Sequence, residues 1–272
     1  MYGKKTRMRF AEELFWGETP SSGWVEAALV ESKATTSPRV ATLKSLLGHR
    51  PGMVSAIGHI EVVPTVANAL ALGDAALMRD DDGGIGTYSV EITDDSGAWR
   101  VAGAMVRRFY ARAGVARTAL EFEFDIAAMS AKRAGGFTPE GAAGQPFRFP
   151  GSTCSVAGET APLKEFMLKV DNNLFSGPSR DDGEAGFLTA GWRSISGYIV
   201  LGEDRRDLMD SAPRALTVTF PGDGANLVIS VPAAFCREAR EVRGAISGAS
   251  QQLFFDGAET ASSGGVSLTV EE

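Results

Sequence analysis

Side chains that move protons at neutral pH are scarce in this sequence: 272 residues contain two histidines, His49 and His59, and two cysteines, Cys154 and Cys236. Nucleophilic catalysis needs a base, an orienting acid and a nucleophile brought together. His49 falls in a Gly and Pro turn, His59 beside Ile60 in an apolar run, and no G-x-S-x-G elbow occurs. Asp80, Asp81 and Asp82 before Gly83 and Gly84 suggest calcium, but an EF-hand loop wants acids at alternating positions and glycine at the sixth, where Ile85 stands. That run reads as a solvated turn, and so does Arg180, Asp181, Asp182, Gly183, Glu184. Glu121 and Glu123 could evoke glycoside hydrolysis, which needs two carboxylates facing each other across a sugar; at i and i+2 of a strand they point the same way. A phosphate-cradling G-x-x-x-x-G-K and any zinc-ligand spacing are both missing. The expectation is a protein without catalytic residues, cofactor or metal.

The elements that carry these residues are mainly β. Thirty-two glycines and short alternating apolar segments between turn residues point that way. In the clearest strand Leu120, Phe122, Phe124 and Ile126 alternate with Glu121, Glu123 and Asp125, so one face is buried and the other wet. Phe166, Leu168 and Val170 repeat the pattern, as do Val266, Leu268 and Val270. Two short helices are expected, one from Pro64 to about Leu72 closed by Gly73, the other over Glu203 to Met209.

The two halves resemble each other. Ser55 to Val62 precedes the first helix and Ser194 to Leu201 the second; each helix is followed by a strand, Tyr88 to Ile92 or Leu216 to Phe220. Then come a turn (Asp94 to Gly97, or Pro221 to Gly224) and a returning strand. Each half closes on an aromatic and acidic segment, Phe122 to Asp125 and Phe254 to Asp256, about 130 positions apart. This predicts a degenerate tandem duplication with domains over 1–136 and 153–272. The Gly, Pro and Ala-rich stretch 137–152 has the composition of a flexible connector. Two long polar stretches, Ser32 to Met53 and Phe175 to Gly191, sit at matching places and suggest contact loops.

A hydrophobic fraction of 44% and a charged fraction of 22% suit a folded globular chain. No apolar run reaches the roughly 18 residues a membrane helix needs, and Glu12 and Glu13 interrupt the place where a signal peptide would turn apolar. The two cysteines read as small buried hydrophobes in a reducing cytoplasm. A net charge of −7 argues against a tight grip on nucleic acid, because such affinity comes from clustered Lys and Arg.

The chain resembles the tail tube proteins of long-tailed phages and prophages, in particular their larger two-half members. The residues that carry the resemblance are Phe147, Arg148, Phe149, Pro150, Gly151, then Leu163 to Leu174 with Val170, Asp171, Asn172, Asn173, Leu174. The Ser194 to Leu201 strand, the Leu216 to Phe220 strand with its Pro-Gly turn, and the closing Ser267 to Val270 strand are similar too. The resemblance is strongest from about Tyr88 onward and is one of order, since each motif alone is a strand or turn signature.

It implies two tandem β-sandwich or barrel domains, each with a flanking short helix, whose inner sheets join between subunits into a β-lined pipe for DNA. Six single-domain subunits make such a ring, so a duplicated chain predicts a trimer with pseudo-sixfold symmetry. On this reading Glu121, Glu123 and Asp125, or their equivalents in the second half, face the lumen and repel passing phosphate, and the loop bearing Arg180, Asp181, Asp182 and Glu184 reaches the next ring. The expected partners are the chain itself, the tape measure protein and other tail proteins; DNA passes without specific binding, and no membrane is involved. Assembly is expected in the host cytoplasm. The alternatives are another tail ring component (distal tail or terminator), a secretion-system tube, or a β-rich glycan-binding or hydrolytic phage module.

Overall fold

The computed structural model describes residues 7–29, 56–79, 83–94, 97–135, 137, 144–176, 188–203, 205, 212–244, 248–259 and 265–271. In chain order the elements are β1 (Arg7–Glu12), β2 (Val25–Leu29), β3 (Ala56–Val63), α1 (Ala69–Leu77), β4 (Tyr88–Asp94), β5 (Gly97–Gly114), β6 (Arg117–Ala128) and β7 (Ser130–Ala134). They continue with β8 (Thr153–Val156), β9 (Glu159–Asp171), β10 (Phe175–Ser176), β11 (Leu188–Thr189), β12 (Ser194–Leu201), β13 (Arg214–Pro221), β14 (Asn226–Gly244), β15 (Gly248–Gly257) and β16 (Ser267–Glu271).

Fourteen of these strands form one antiparallel sheet, and β10 with β11 makes a separate ribbon. Inside the large sheet the hydrogen bonds close two circuits. β1, β2, β3, β6, β5 and β4 follow one another, and β4 returns to β1. β8, β9, β12, β15, β14 and β13 do the same, and β13 returns to β8. The order is identical once β1 is matched to β8, and each circuit adds one strand to its longest member, β7 on β5 and β16 on β14. Closing a sheet on itself removes the open edges that otherwise invite aggregation.

A bulge explains how the circuits join. Residues 97–104 of β5 pair with β4; after the register shift between Val106 and Arg108, residues 108–114 pair with β9. An extra residue bends a strand and increases its twist, so one strand can change neighbours partway along. β14 shifts register between Cys236 and Glu238, 130 positions after Val106 and Arg108. The outcome is an unbroken run of strands across both circuits: β3, β6, β5, β9, β12, β15, β14.

Alternation along β6 comes out as the sequence predicts, with Leu120, Phe122, Phe124 and Ile126 buried. Phe166, Leu168 and Val170 are buried likewise. A single contiguous core includes residues of both circuits. Phe109 meets Phe122 at 5.0 Å between ring centroids, and Phe166 meets Phe220 at 5.7 Å. The matching glycines of the two halves serve one purpose: a side chain on Gly58 would press on Ile126, and one on Gly197 would fall 2.3 Å from the Met167 carbonyl and 2.5 Å from the Phe255 ring.

Three expectations change. The first helix runs over Ala69–Leu77 rather than from Pro64 to Leu72, and Gly73 lies inside it, buried under Leu268 of β16. Pro64 does not start the helix because its carbonyl accepts the Phe147 N–H (3.3 Å) and Thr65 bridges to Pro146, which holds this stretch against another segment. Residues 144–152 of the connector are packed rather than flexible. Phe147 is fully buried; the Leu120 N–H donates to the Phe147 carbonyl (2.9 Å), Phe149 N–H to Thr118 (3.1 Å) and Arg148 N–H to Pro221 (2.8 Å). Finally, Val266 is buried but Leu268 and Val270 of β16 are only half-buried. The stretch Ser32 to Met53, His49, Asp80 to Asp82, and the inter-ring set Arg180, Asp181, Asp182 and Glu184 lie outside the described residues. Of the second helix only Glu203 and Arg205 are described.

Candidate functional site

The continuous run of strands turns one face into the core and the other outward, and Glu121, Glu123 and Asp125 all stand on the outward face of β6. Strand register fixes their neighbours. Glu121 pairs with Arg112, which pairs with Met167, then Tyr198, then Phe254. The next row reads Glu123, Tyr110, Lys169, Ser196, Asp256. On the other side of β6, Asp125 is opposite His59 and Glu123 opposite Glu61. Residues at alternate positions of antiparallel neighbours share a face, so these rows cross both circuits on one surface.

This surface is a lattice of ion pairs rather than a field of bare carboxylates. Glu121 binds the Arg117 guanidinium. Glu123 is 4% exposed and lies 2.9 Å from Arg112 and 3.9 Å from Arg117. Asp125 takes His59 Nδ1 at 2.8 Å and stands 4.0 Å from Arg108. Arg108 Nε donates to Asp171 at 2.7 Å, and Lys169 adds a charge at 3.8 Å. Burial alone would raise the Asp171 carboxyl, but the bonds from Arg108 and the Asn173 N–H, with the nearby positive charges, hold it below the ordinary carboxylate value. Tyr198 donates to Glu165 at 2.6 Å, and burial followed by that carboxylate pushes its phenol up to about 12. On the far side Arg240 lies 4.8 Å above the Phe254 ring.

The three acids named from sequence are therefore brought together, but with cations that the sequence reading did not weigh. Arg108, Tyr110 and Arg112 alternate with buried Phe109 and Ala111 along β5, which is the period-two signal that would have revealed them. Among the described residues no group of three or more His, Cys, Asp or Glu could hold a metal ion. Neither cysteine is in a disulfide, and burial pushes the Cys154 thiol up to about 12.

His59 is a titratable switch on this face. Desolvation would lower its pKa, yet hydrogen bonds to Asp125 and then Glu61 at 3.0 Å, together with their charges, raise it above 6.5. A raised folded-state pKa means the stabilisation is complete below the ordinary value and is lost as pH climbs through the folded one. Because the side chain is 40% exposed, screening limits the gain to about 0.5 kcal/mol. Urea midpoints at about pH 6 and about pH 8.5 should differ in the expected sense for the wild type and converge in His59→Gln. An equal pH dependence in both proteins would remove His59 from this role.

A sequence model of the family described as phage tail tube protein matches residues 3–271. Among curated proteins there is no match.

Proposed function

The chain belongs to the phage tail tube protein family, a structural component of the virion tail, and from this we propose that it closes trimeric, pseudo-sixfold rings that stack around a channel for DNA. The observation that carries the reading is the seam between β5 and β9. Two circuits with the same strand order lie side by side in each chain, joined edge to edge after a bulge. The matching edge of β14, beyond its own bulge, pairs among the described residues only with β15. We read that edge as the donor of the same seam to β2 of the next chain, so that three chains present six equivalent circuits and the rotation closes. Main-chain hydrogen bonding supplies strength in such an edge-to-edge joint, as in other strand additions. The duplication itself, with units over 1–136 and 153–272, is part of this proposal.

The ion-paired face then lines the lumen. Phosphate binds where Arg and Lys can exchange counterions for it. Here Arg108, Arg112 and Arg117 are already held by Asp171, Glu123 and Glu121, so a passing genome meets cations that are engaged elsewhere. In this reading Glu121, Glu123 and Asp125 prevent sticking by occupying the arginines, a local effect that adds to the net charge of −7. Contacts with other tail proteins, the tape measure protein among them, fall at the tube's ends and inside it, and assembly takes place in the host cytoplasm.

The test is the mass of the ring. Limited disassembly of the polymer, followed by native mass measurement, should release closed particles of three chains of 28.7 kDa each, with six density lobes in projection. Rings of six chains would overturn the trimer and the duplicated-unit reading with it.

A further inference from the structure

The two circuits match strand for strand, yet one matching pair of strands differs in what covers it. β5 and β14 carry the same two irregularities. Their register shifts between Val101 and Ala104 in one and between Val231 and Ala234 in the other, and the bulge at Val106 and Arg108 recurs at Cys236 and Glu238. This fixes the correspondence residue by residue, and Trp99 of β5 falls on Ile229 of β14. Their neighbours on the added strands correspond too: Arg133 of β7 lies opposite Trp99, and Leu268 of β16 opposite Ile229.

In the second circuit this row is roofed. Ile229 is 1% exposed, and α1 lies so close on Leu268 that a Cβ on Gly73 would stand 2.9 Å from it. Val266 and Val270 continue the apolar side of β16 and pack on the core. The first circuit has Ala131, Arg133 and Gly135 in those three places. Arg133 is exposed, with its guanidinium 5.4 Å above the half-buried Trp99 ring, and a Cβ on Gly135 would meet nothing within 4 Å.

The roof crosses between halves. α1 lies between β3 and β4 of the first circuit but covers a strand of the second, the circuit that its own β5 joins at β9. Repeating that relation puts the matching stretch of a second half, residues 202–213 between β12 and β13, over β7 of the circuit that its β14 joins. In the ring that circuit belongs to another chain. Charge agrees with this assignment. α1 brings alanine and leucine to apolar Leu268. Residues 202–213 bring Glu203, Asp204, Asp207 and Asp210 against Arg205 and Arg206, and Arg205 is bonded to Glu159 of its own chain at 2.8 Å. An acidic segment thus meets an arginine where an apolar helix meets a leucine.

We propose that Arg133 and Trp99 form a receiving face for a second copy of this chain, whose acidic segment 202–213 crosses β7 as α1 crosses β16. Each joint of the ring then has a roof as well as a seam, and the proposal rests on the ring reading. Tryptophan and arginine are the side chains that most often anchor such contacts.

The full-length chain tests this. Arg133→Glu should melt like the wild type, because the side chain is exposed, yet need a roughly tenfold or higher concentration to close rings. Adding Asp207→Lys and Asp210→Lys to that variant should restore closure, since the charges are exchanged across the joint. Rings from Arg133→Glu at the wild-type concentration would overturn the proposal, leave the ring reading standing and assign this face to some other tail protein; a charge-exchanged chain that folds but stays impaired would overturn it as well. Separately, the blue shift of tryptophan emission on ring closure should be smaller in Trp99→Phe than in the wild type, and equal shifts would count against the contact. A wild type that closes no ring at any concentration would instead overturn the ring reading, and this proposal with it.

Discussion

Replacing Phe147 with alanine should cost about 3–5 kcal/mol of unfolding free energy, the loss expected when a fully buried aromatic leaves a cavity in a core that cannot collapse around it. Collapse is prevented from three sides. The Phe147 main chain is bonded to Pro64 and Leu120 of the first circuit, the neighbouring Arg148 N–H is bonded to Pro221 of the second, and the ring packs so closely on Gly222 that an added Cβ there would lie 2.8 Å away. The side chain thus sits where the two circuits and their connection meet. Because the core is contiguous, the loss should appear in one cooperative transition, as a lower urea midpoint with little change in slope. A cost under about 1 kcal/mol would mean that residues 144–152 are the loose tether their composition suggests.

Asn172→Leu should be almost as damaging, at about 3–5 kcal/mol, although leucine keeps the same branched shape. The Asn172 amide donates to the Ala76 carbonyl at the end of α1 (3.1 Å) and to the Val106 carbonyl at the β5 bulge (3.0 Å), and its oxygen accepts from Arg193 Nε (2.9 Å). It is fully buried. Leucine would leave both carbonyls unbonded at roughly 1–3 kcal/mol each and withdraw a partner from a guanidinium already expensive to bury. Burial, and then the charge of Arg79, lower the Arg193 pKa to about 10, while Glu259 opposes them. Guanidinium-free thermal melts of the purified variant would measure the effect, and an unchanged melting temperature would show that water replaces the amide without loss. Since Asn172 ties α1 and β5 of one half to β9 of the other, the same variant should also lower the yield of closed rings.

How the motif containing Asn172 reads in each setting shows what was legible. In the sequence, Val170, Asp171, Asn172, Asn173 and Leu174 mark a strand running into a turn, part of the order that resembles tail tube proteins. In the structure each polar member has a separate task. Asp171 anchors Arg108 across the seam, Asn172 bolts three elements, and Asn173, at φ of +46°, donates its side-chain amide to the Trp192 carbonyl at 2.6 Å. Their partners are tens of residues away in the chain, so spacing could not reveal them. Much the same holds for the outward face of β6, where alternation placed the acids correctly but only strand register supplied Arg112, Arg117 and His59 as their partners.

The sequence by itself determined what depends on short range: strands with one apolar face, turns where Gly, Pro and Asp cluster, and the similar order of parts in the two halves. Tertiary structure alone decided the start of α1, the packed state of 144–152, the two closed circuits, the seam between them and the partners of Glu121, Glu123 and Asp125 on the outer face. Side-chain alternation is written in consecutive residues, because a strand's geometry repeats every two positions. Which strand lies beside which is chosen by the free energy of packing the whole core and satisfying its buried polar groups, and those terms belong to residues far apart in the chain.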